Sequence, residues 1–193
     1  MKLIFTIFSL LWAFCAFCME IQVNGDFEKC SLHKNEVGLW PDNWHRSKGS
    51  QKALIEVYEN AKGTHSGKYA LSLECEPGER AYIFHHPLIR VGSGDTPDVT
   101  VWMKGVGRVV TGFVVYGYTD DPKKFVHISS VSSKPFQTGG KWYKNTFTFQ
   151  MKSREKNGKT YDKFLLMPFI DLRGEGSVVI DAYSINVRDK KGE

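Results

Sequence analysis

Along most of this chain, β-branched and aromatic residues alternate with polar ones or run together, and clusters of turn residues interrupt them. Such runs occupy 53–58, 69–74, 81–84, 99–104, 109–118, 125–130, 142–150, 163–172 and 177–187. Alternation of period two puts successive side chains on opposite faces of a strand. Between the runs lie Asn60-Ala61-Lys62-Gly63, Pro77-Gly78, Gly92-Ser93-Gly94-Asp95, Thr119-Asp120-Asp121-Pro122, Gly139-Gly140 and Asn157-Gly158, residues that supply the backbone angles turns require. No window carries apolar residues at helical spacing. The pattern therefore predicts an all-β domain of many short strands, a sandwich or a barrel. The charged segment 152–163 reads as a solvated loop, and 188–193 as a frayed end. There is no repeat, linker or second domain in the pattern.

The first residues follow a different rule. Met1-Lys2 precedes an apolar run from Leu3 to Phe17 broken only by Thr6 and Ser9, and Ala16 and Cys18 stand at the −3 and −1 positions of a signal-peptidase site. The expectation is a signal peptide over 1–18 and one mature domain over 19–193, in the extracellular space or periplasm. The run is shorter than a bilayer-spanning helix needs, so no membrane attachment is expected after cleavage. An uncleaved anchor and a lipoprotein are the alternatives.

Composition narrows the function classes. The 193 residues include 26 Lys+Arg and 21 Asp+Glu, a net charge of +5, with no basic run. Nucleic acid is therefore not an expected partner. Aromatics make up 13 % and there are 18 glycines, a composition that suits strands joined by turns. Cleavage after Cys18 leaves Cys30 and Cys75. In an oxidising compartment one disulfide is the natural pairing, and two separate buried thiols are the alternative.

Five motifs in order carry a resemblance: Asn24-Gly25-Asp26-Phe27-Glu28, Pro41-Asp42-Asn43-Trp44, Thr64-His65-Ser66-Gly67-Lys68-Tyr69-Ala70-Leu71, Gly139-Gly140-Lys141-Trp142 and Val178-Val179-Ile180-Asp181-Ala182-Tyr183-Ser184-Ile185. Together, over roughly Ile21 to Val187, they resemble carbohydrate-binding modules of the family 4/9 type, which share a galactose-binding-like jelly roll. The resemblance implies a two-sheet antiparallel β-sandwich with a structural Ca²⁺. It assigns that ion to Asp26 and Lys68 through backbone oxygens, and to Glu28 and Asp181 through carboxylates. Ca²⁺ takes six to eight oxygens, so such a set is chemically sensible. Asp181 itself sits in an apolar strand and needs a partner, with a salt bridge to Lys or Arg as the alternative to a metal. The resemblance also makes Trp44 and Trp142 core residues.

Sugar recognition requires flat aromatic faces with polar groups beside them. In 100–104, Val101 and Met103 share one face and Trp102 and Lys104 the other. Tyr116 and Tyr118 share a face, as do Arg80 and Tyr82. With Val101 and Met103 in the core, Trp102 is at least partly exposed, and Tyr116 and Tyr118 line a concave sheet beside it. The candidate sugar-binding residues are thus Trp102, Tyr116, Tyr118, Arg80, Tyr82 and Lys104, with Trp40 in a loop as an outlying candidate. Core or inter-sheet packing is the alternative for each ring.

Enzyme signatures are missing. The chain has no Gly-x-Ser-x-Gly, His-Glu-x-x-His, Gly-x-x-x-x-Gly-Lys or Gly-x-Gly-x-x-Gly motif, and its six histidines show no zinc spacing. The expected function is a secreted, monomeric, non-catalytic module that binds a polysaccharide or oligosaccharide. A structural or protein-interaction sandwich is the second expectation. A jelly-roll lyase or glycosidase, whose acid pair leaves no local motif, is the third.

Overall fold

The computed structural model describes residues 18–32, 36, 38–59, 63–137 and 139–189. The leader therefore lies outside the described residues up to 17, and so does the tail beyond 189. The strands are β1 (Cys18–Ile21), β2 (Cys30–Leu32), β3 (Leu39–Pro41), β4 (Trp44–Arg46), β5 (Leu54–Glu59), β6 (Tyr69–Cys75), β7 (Arg80–His85) and β8 (Ile89–Gly92). They continue with β9 (Thr96–Tyr118), β10 (Val126–Ser132), β11 (Phe136–Gln137), β12 (Tyr143–Thr148), β13 (Arg154–Lys156), β14 (Lys159–Tyr161) and β15 (Lys163–Arg188). A 3₁₀ turn over Lys48–Ser50 is the one helical element among the described residues.

Two long strands organise everything else. β9 and β15 pair antiparallel from Lys163↔Tyr118 to Arg188↔Thr96. The 99–104 and 109–118 runs are one strand, and so are 163–172 and 177–187. Each long strand changes sheet at its middle, where the ladder slips between Arg173 and Ser177. Gly105 makes this bend possible: its φ is +123°, and a Cβ there would stand 2.2 Å from the Ser177 carbonyl oxygen.

The result is an antiparallel β-sandwich with jelly-roll character. The first half-sheet runs β2-β3-β5-β6, then 177–188 of β15, then 96–106 of β9, then β12, with β1 also on β15. The second runs β4-β7, then 163–173 of β15, then 108–118 of β9, then β10, with β8 on β15 and β11 on β9. One core lies between the halves. Val99, Val101, Met103, Val178 and Ile180 from the first meet Ile83, Phe113, Val115, Phe164, Leu166 and Ile170 from the second. The two outer faces therefore point away from each other.

The termini of the long strands differ from expectation. The 152–163 segment is not a loop: β13 and β14 form a hairpin, with Asn157 and Gly158 at φ 53° and 69°, the handedness a tight hairpin favours. Arg188 is a strand residue whose Nε lies 3.1 Å from Asp98 Oδ2, so it is not frayed.

Candidate functional site

The second half-sheet has an unusual outer face. On β15, Phe164, Leu166, Ile170 and Leu172 enter the core, so Leu165, Met167, Phe169, Asp171 and Arg173 face outward. On β7 the outward residues are Arg80, Tyr82 and Phe84, and on β9 they are Arg108, Val110, Val114, Tyr116 and Tyr118. A solvent-facing sheet normally reads polar on that side. Here Val110, Leu165 and Phe169 are 1 %, 5 % and 4 % exposed, yet lie outside the core cluster. They form an apolar floor. At Gly112, opposite Phe169, a Cβ would meet the Val131 carbonyl oxygen at 2.1 Å, so the end of β10 closes over β9 there.

Rings stand on this floor in two groups. Tyr82 stacks on Phe169 at 5.2 Å and 25°, and His45 stacks on Phe84 at 5.7 Å and 28°. His86 meets Phe84 edge-on at 5.6 Å. Farther along, Tyr116 meets Phe125 at 5.0 Å and His127 at 5.9 Å. Beyond Phe125 a cavity of ≈ 580 Å³ is lined by Leu88, Arg90, Pro122, Lys123 and Leu165 among others. Tyr118 lies at the same end, opposite Lys163.

The other end is ionic. The Asp171 carboxylate is fully buried and takes Arg80 Nε at 2.5 Å, Arg80 Nη2 at 2.8 Å and Arg173 Nε at 2.6 Å. The Asp171 bond pushes the Arg80 guanidinium pKa up. Arg80 also covers Tyr82, with its guanidinium carbon 4.6 Å from the ring centroid. Burial pushes the Tyr82 hydroxyl to about 12, which keeps it a neutral hydrogen-bonding group.

Trp102 and Lys104 are elsewhere. Both lie on the outer face of the first half-sheet, on the far side of the core from Tyr82 and Tyr116, because the bend at Gly105 separates them. Trp102 is half-buried, and His65 stacks on it at 4.0 Å and 20°. Lys104 Nζ donates to the Gly63 carbonyl and lies 4.9 Å from the Trp142 ring centroid. Trp142 is accordingly a half-buried surface residue and not core, whereas Trp44 is 1 % exposed. Trp40 is not a loop platform either: it is 3 % exposed on β3, with Nε1 donating to the Trp44 carbonyl at 2.6 Å.

The four residues assigned to calcium do converge, around the 63–69 turn. Asp181 accepts from His65 N and Ser66 N at 2.8 Å on Oδ2, and from Ala182 N at 2.6 Å and Ser66 Oγ at 3.2 Å on Oδ1. Glu28 Oε1 accepts from Lys68 N at 2.6 Å and Tyr69 N at 2.9 Å, and Asp26 Oδ1 from Glu28 N at 3.4 Å. Gly67, at φ +60°, admits Glu28: a Cβ there would lie 2.3 Å from Oε1. A carboxylate offers about four lone-pair sites, and four donors fill those of Asp181. Among the described residues no group of three or more His, Cys, Asp or Glu is placed to hold a cation. The partner of Asp181 is thus backbone amide, neither an arginine nor a lysine. Burial raises its pKa above the ordinary carboxylate value, and the donors hold that rise down. Alternation puts Asp181 on the outer face beside Trp102, and a bulge with Ala182 at φ 48° returns Tyr183 to the core.

Cys30 and Cys75 are both free thiols, contrary to the expected bridge. Register explains it. Cys30 pairs with Pro41 on β3, β3 pairs with β5, and β5 with β6, which carries Cys75. Three strand spacings amount to about 14 Å, beyond the reach of a disulfide.

Several residues of the outer face are not evident from the sequence: His45, Phe84, His86, Phe125 and Phe169. One signal was available. Residues 164–170 are apolar on both faces, in a sheet that covers only one of them.

No family model and no curated protein matches the chain. Solved structures do. A cyclase from Fischerella sp. TAU superposes with TM-score 0.65 at 13 % identity, covering 89 % of this chain and 98 % of that one. The likeness is one of fold. The enzymatically active domain of bacteriophage CBA120 tailspike protein 4 gives 0.51 at 10 %, covering 75 % of this chain and 19 % of that one. The CBM22-1 xylan-binding domain of Paenibacillus barcinonensis Xyn10C gives 0.45 at 15 %, covering 81 % and 92 %, too low a score to carry an argument. The 4/9 assignment therefore rests on its motifs alone.

Proposed function

We propose that this chain is a secreted, non-catalytic carbohydrate-binding module whose sugar platform is the outer face of the second half-sheet. The observation that supports the reading is the outward, apolar and aromatic surface formed by Tyr82, Phe84, Phe169 and Tyr116. Tyr82, Phe84 and Tyr116 are half-buried over the buried Phe169, and an apolar face rimmed by polar groups in this way marks an interaction site. Its rings offer faces to the C–H faces of sugars, and Arg80, His45, His86 and His127 border it with groups for hydroxyls. The platform thus centres on Tyr116, since Tyr82 lies against Phe169 and beneath Arg80, and Trp102 lies on the other side under His65. Native affinity electrophoresis through galactan, xylan, mannan, β-glucan, polygalacturonate and alginate tests the proposal. Retardation in at least one gel is expected, and Tyr116→Ala should weaken it roughly tenfold, the loss of one stacked ring and its buried area, while the circular dichroism of the folded chain stays in place at the gel temperature. Unchanged mobility in every gel refutes it.

A second reading has its own observation. The cavity beyond Phe125 is large enough for a small aromatic molecule, and the Fischerella cyclase fold has been solved with (3Z)-3-(1-methyl-2-pyrrolidinylidene)-3H-indole. Saturable binding of an indole, with no glycan retained, would favour an enzyme or carrier for small aromatic compounds.

A further inference from the structure

Arg173 lies directly opposite Arg80 on one neighbouring strand and Arg108 on the other. All three side chains face outward, because Ala81, Leu172 and Val109 beside them are buried in the core. Like charges set directly opposite each other destabilise a sheet, so this row requires compensation. Asp171 compensates only part of it, with its carboxylate committed to Arg80 and Arg173. Among the described residues Arg108 has no ion pair, and neither Glu79 nor Glu175 pairs with the row. Two guanidinium groups therefore share one carboxylate, and the third, Arg108, has none among the described residues. Arg80 and Arg173 keep 49 % and 45 % of their side-chain surface exposed, which leaves N–H donors directed to solvent. A guanidinium fork matches a carboxylate or sulfate in two parallel hydrogen bonds.

The opposite end of the same face repeats the charge. Arg90 and Lys123 line the cavity at Phe125 together with one carboxylate, Asp121, and neither cation forms an ion pair among the described residues. From Arg173 to Leu165 the face extends about 26 Å along β15 at 3.3 Å per residue. Cations thus outnumber carboxylates at both ends of an aromatic floor, three to one at Arg80, Arg173 and Arg108 and two to one at the cavity.

We infer that the glycan bound on this face is acidic, and that the Arg80–Arg173–Arg108 row holds its carboxylate or sulfate groups. The inference rests on the reading of the face as a sugar site and adds the class of sugar. Rings hold the backbone of the polymer, and the arginines select its charge.

The test is affinity electrophoresis of the mature chain in matched gels. Polygalacturonate and alginate supply carboxylates, carrageenan supplies sulfates, and β-1,4-galactan and xylan are neutral. Retention by one of the charged polymers, without retention by the neutral ones, is expected. The acidic arm that retains the protein distinguishes carboxylate from sulfate. Arg108→Ala should weaken that retention roughly tenfold, as for one charge-assisted contact, and should leave the melting temperature in place because Arg108 supports no other residue. Raising the salt should weaken it further. Retention by neutral glycans alone, abolished by Tyr116→Ala, overturns the acidic class while the sugar platform stands. Retention by an acidic polymer that Arg108→Ala and Arg173→Gln both leave unchanged places the charge contact elsewhere and also overturns it. No retention in any gel, or retention by single-stranded DNA in place of glycan, overturns both readings.

Discussion

Replacing Asp181 by alanine removes the acceptor that seats the 63–69 turn on the sheet. Four donors lose their partner: the N–H groups of His65, Ser66 and Ala182, and the Ser66 hydroxyl. Hydrogen bonds to a charged group contribute about 1.5–3 kcal/mol each. Two effects reduce the sum. His65 and Ser66 are exposed, so their freed groups turn to water. The variant also no longer buries a carboxylate, a cost that the upward pKa shift of Asp181 already records. A net loss of about 3 kcal/mol results. For a chain of this size that corresponds to a fall in Tm of about 6–12 °C. The turn also carries the His65 ring that covers Trp102, so tryptophan emission should shift to the red below the transition. Thermal scans followed by circular dichroism and fluorescence, with and without a calcium chelator, give the answer. A fall in Tm of less than about 2 °C with unchanged emission would show that Asp181 does not seat the turn. Nor does it seat the turn by itself if chelator alone lowers the wild-type Tm by several degrees and the variant loses that response, since a calcium ion would then hold the turn.

Three further outcomes are expected. Burial lowers the pKa of His85 from 6.5 to about 4; the unfolded chain then binds more protons across that window, so stability should fall by up to about 3 kcal/mol as pH drops from 6.5 to 4. That slope should be missing in His85→Leu, and an equal slope in the variant would assign it to other groups. The Tyr183 hydroxyl is buried with no hydrogen-bond partner among the described residues, so Tyr183→Phe should raise stability by about 1 kcal/mol; a loss would reveal a partner for the hydroxyl. In the chain lacking residues 1–18, a thiol reagent should titrate both Cys30 and Cys75 in denaturant without prior reduction. In the native state Cys75 should react slowly, because burial pushes its pKa to about 11; no reaction before reduction would restore the disulfide.

Period-two alternation is a property of the strand itself, and this is why the all-β class, the long runs at 69–74 and 81–84, and the outward parity of Trp102, Tyr82 and Tyr116 were legible in the residues alone. The same local rule explains Val101 and Met103 in the core. It carries no information about which strands become neighbours. The sequence therefore placed Tyr116 beside Trp102, and only the bend at Gly105, where β9 leaves one half-sheet for the other, puts them on opposite sides of the molecule. It left Cys30 and Cys75 either bridged or as two free thiols, and strand order decides for free thiols by separating them. It located Asp181 as an acid in need of a partner but not the amides of a turn 115 residues earlier. Alternation along a chain is decided within a few residues, by sterics every strand obeys. Which face stays bare, which arginines meet across a ladder, and which loop covers a tryptophan are decided by contacts between distant segments, and those exist only once the sheet has folded over its core.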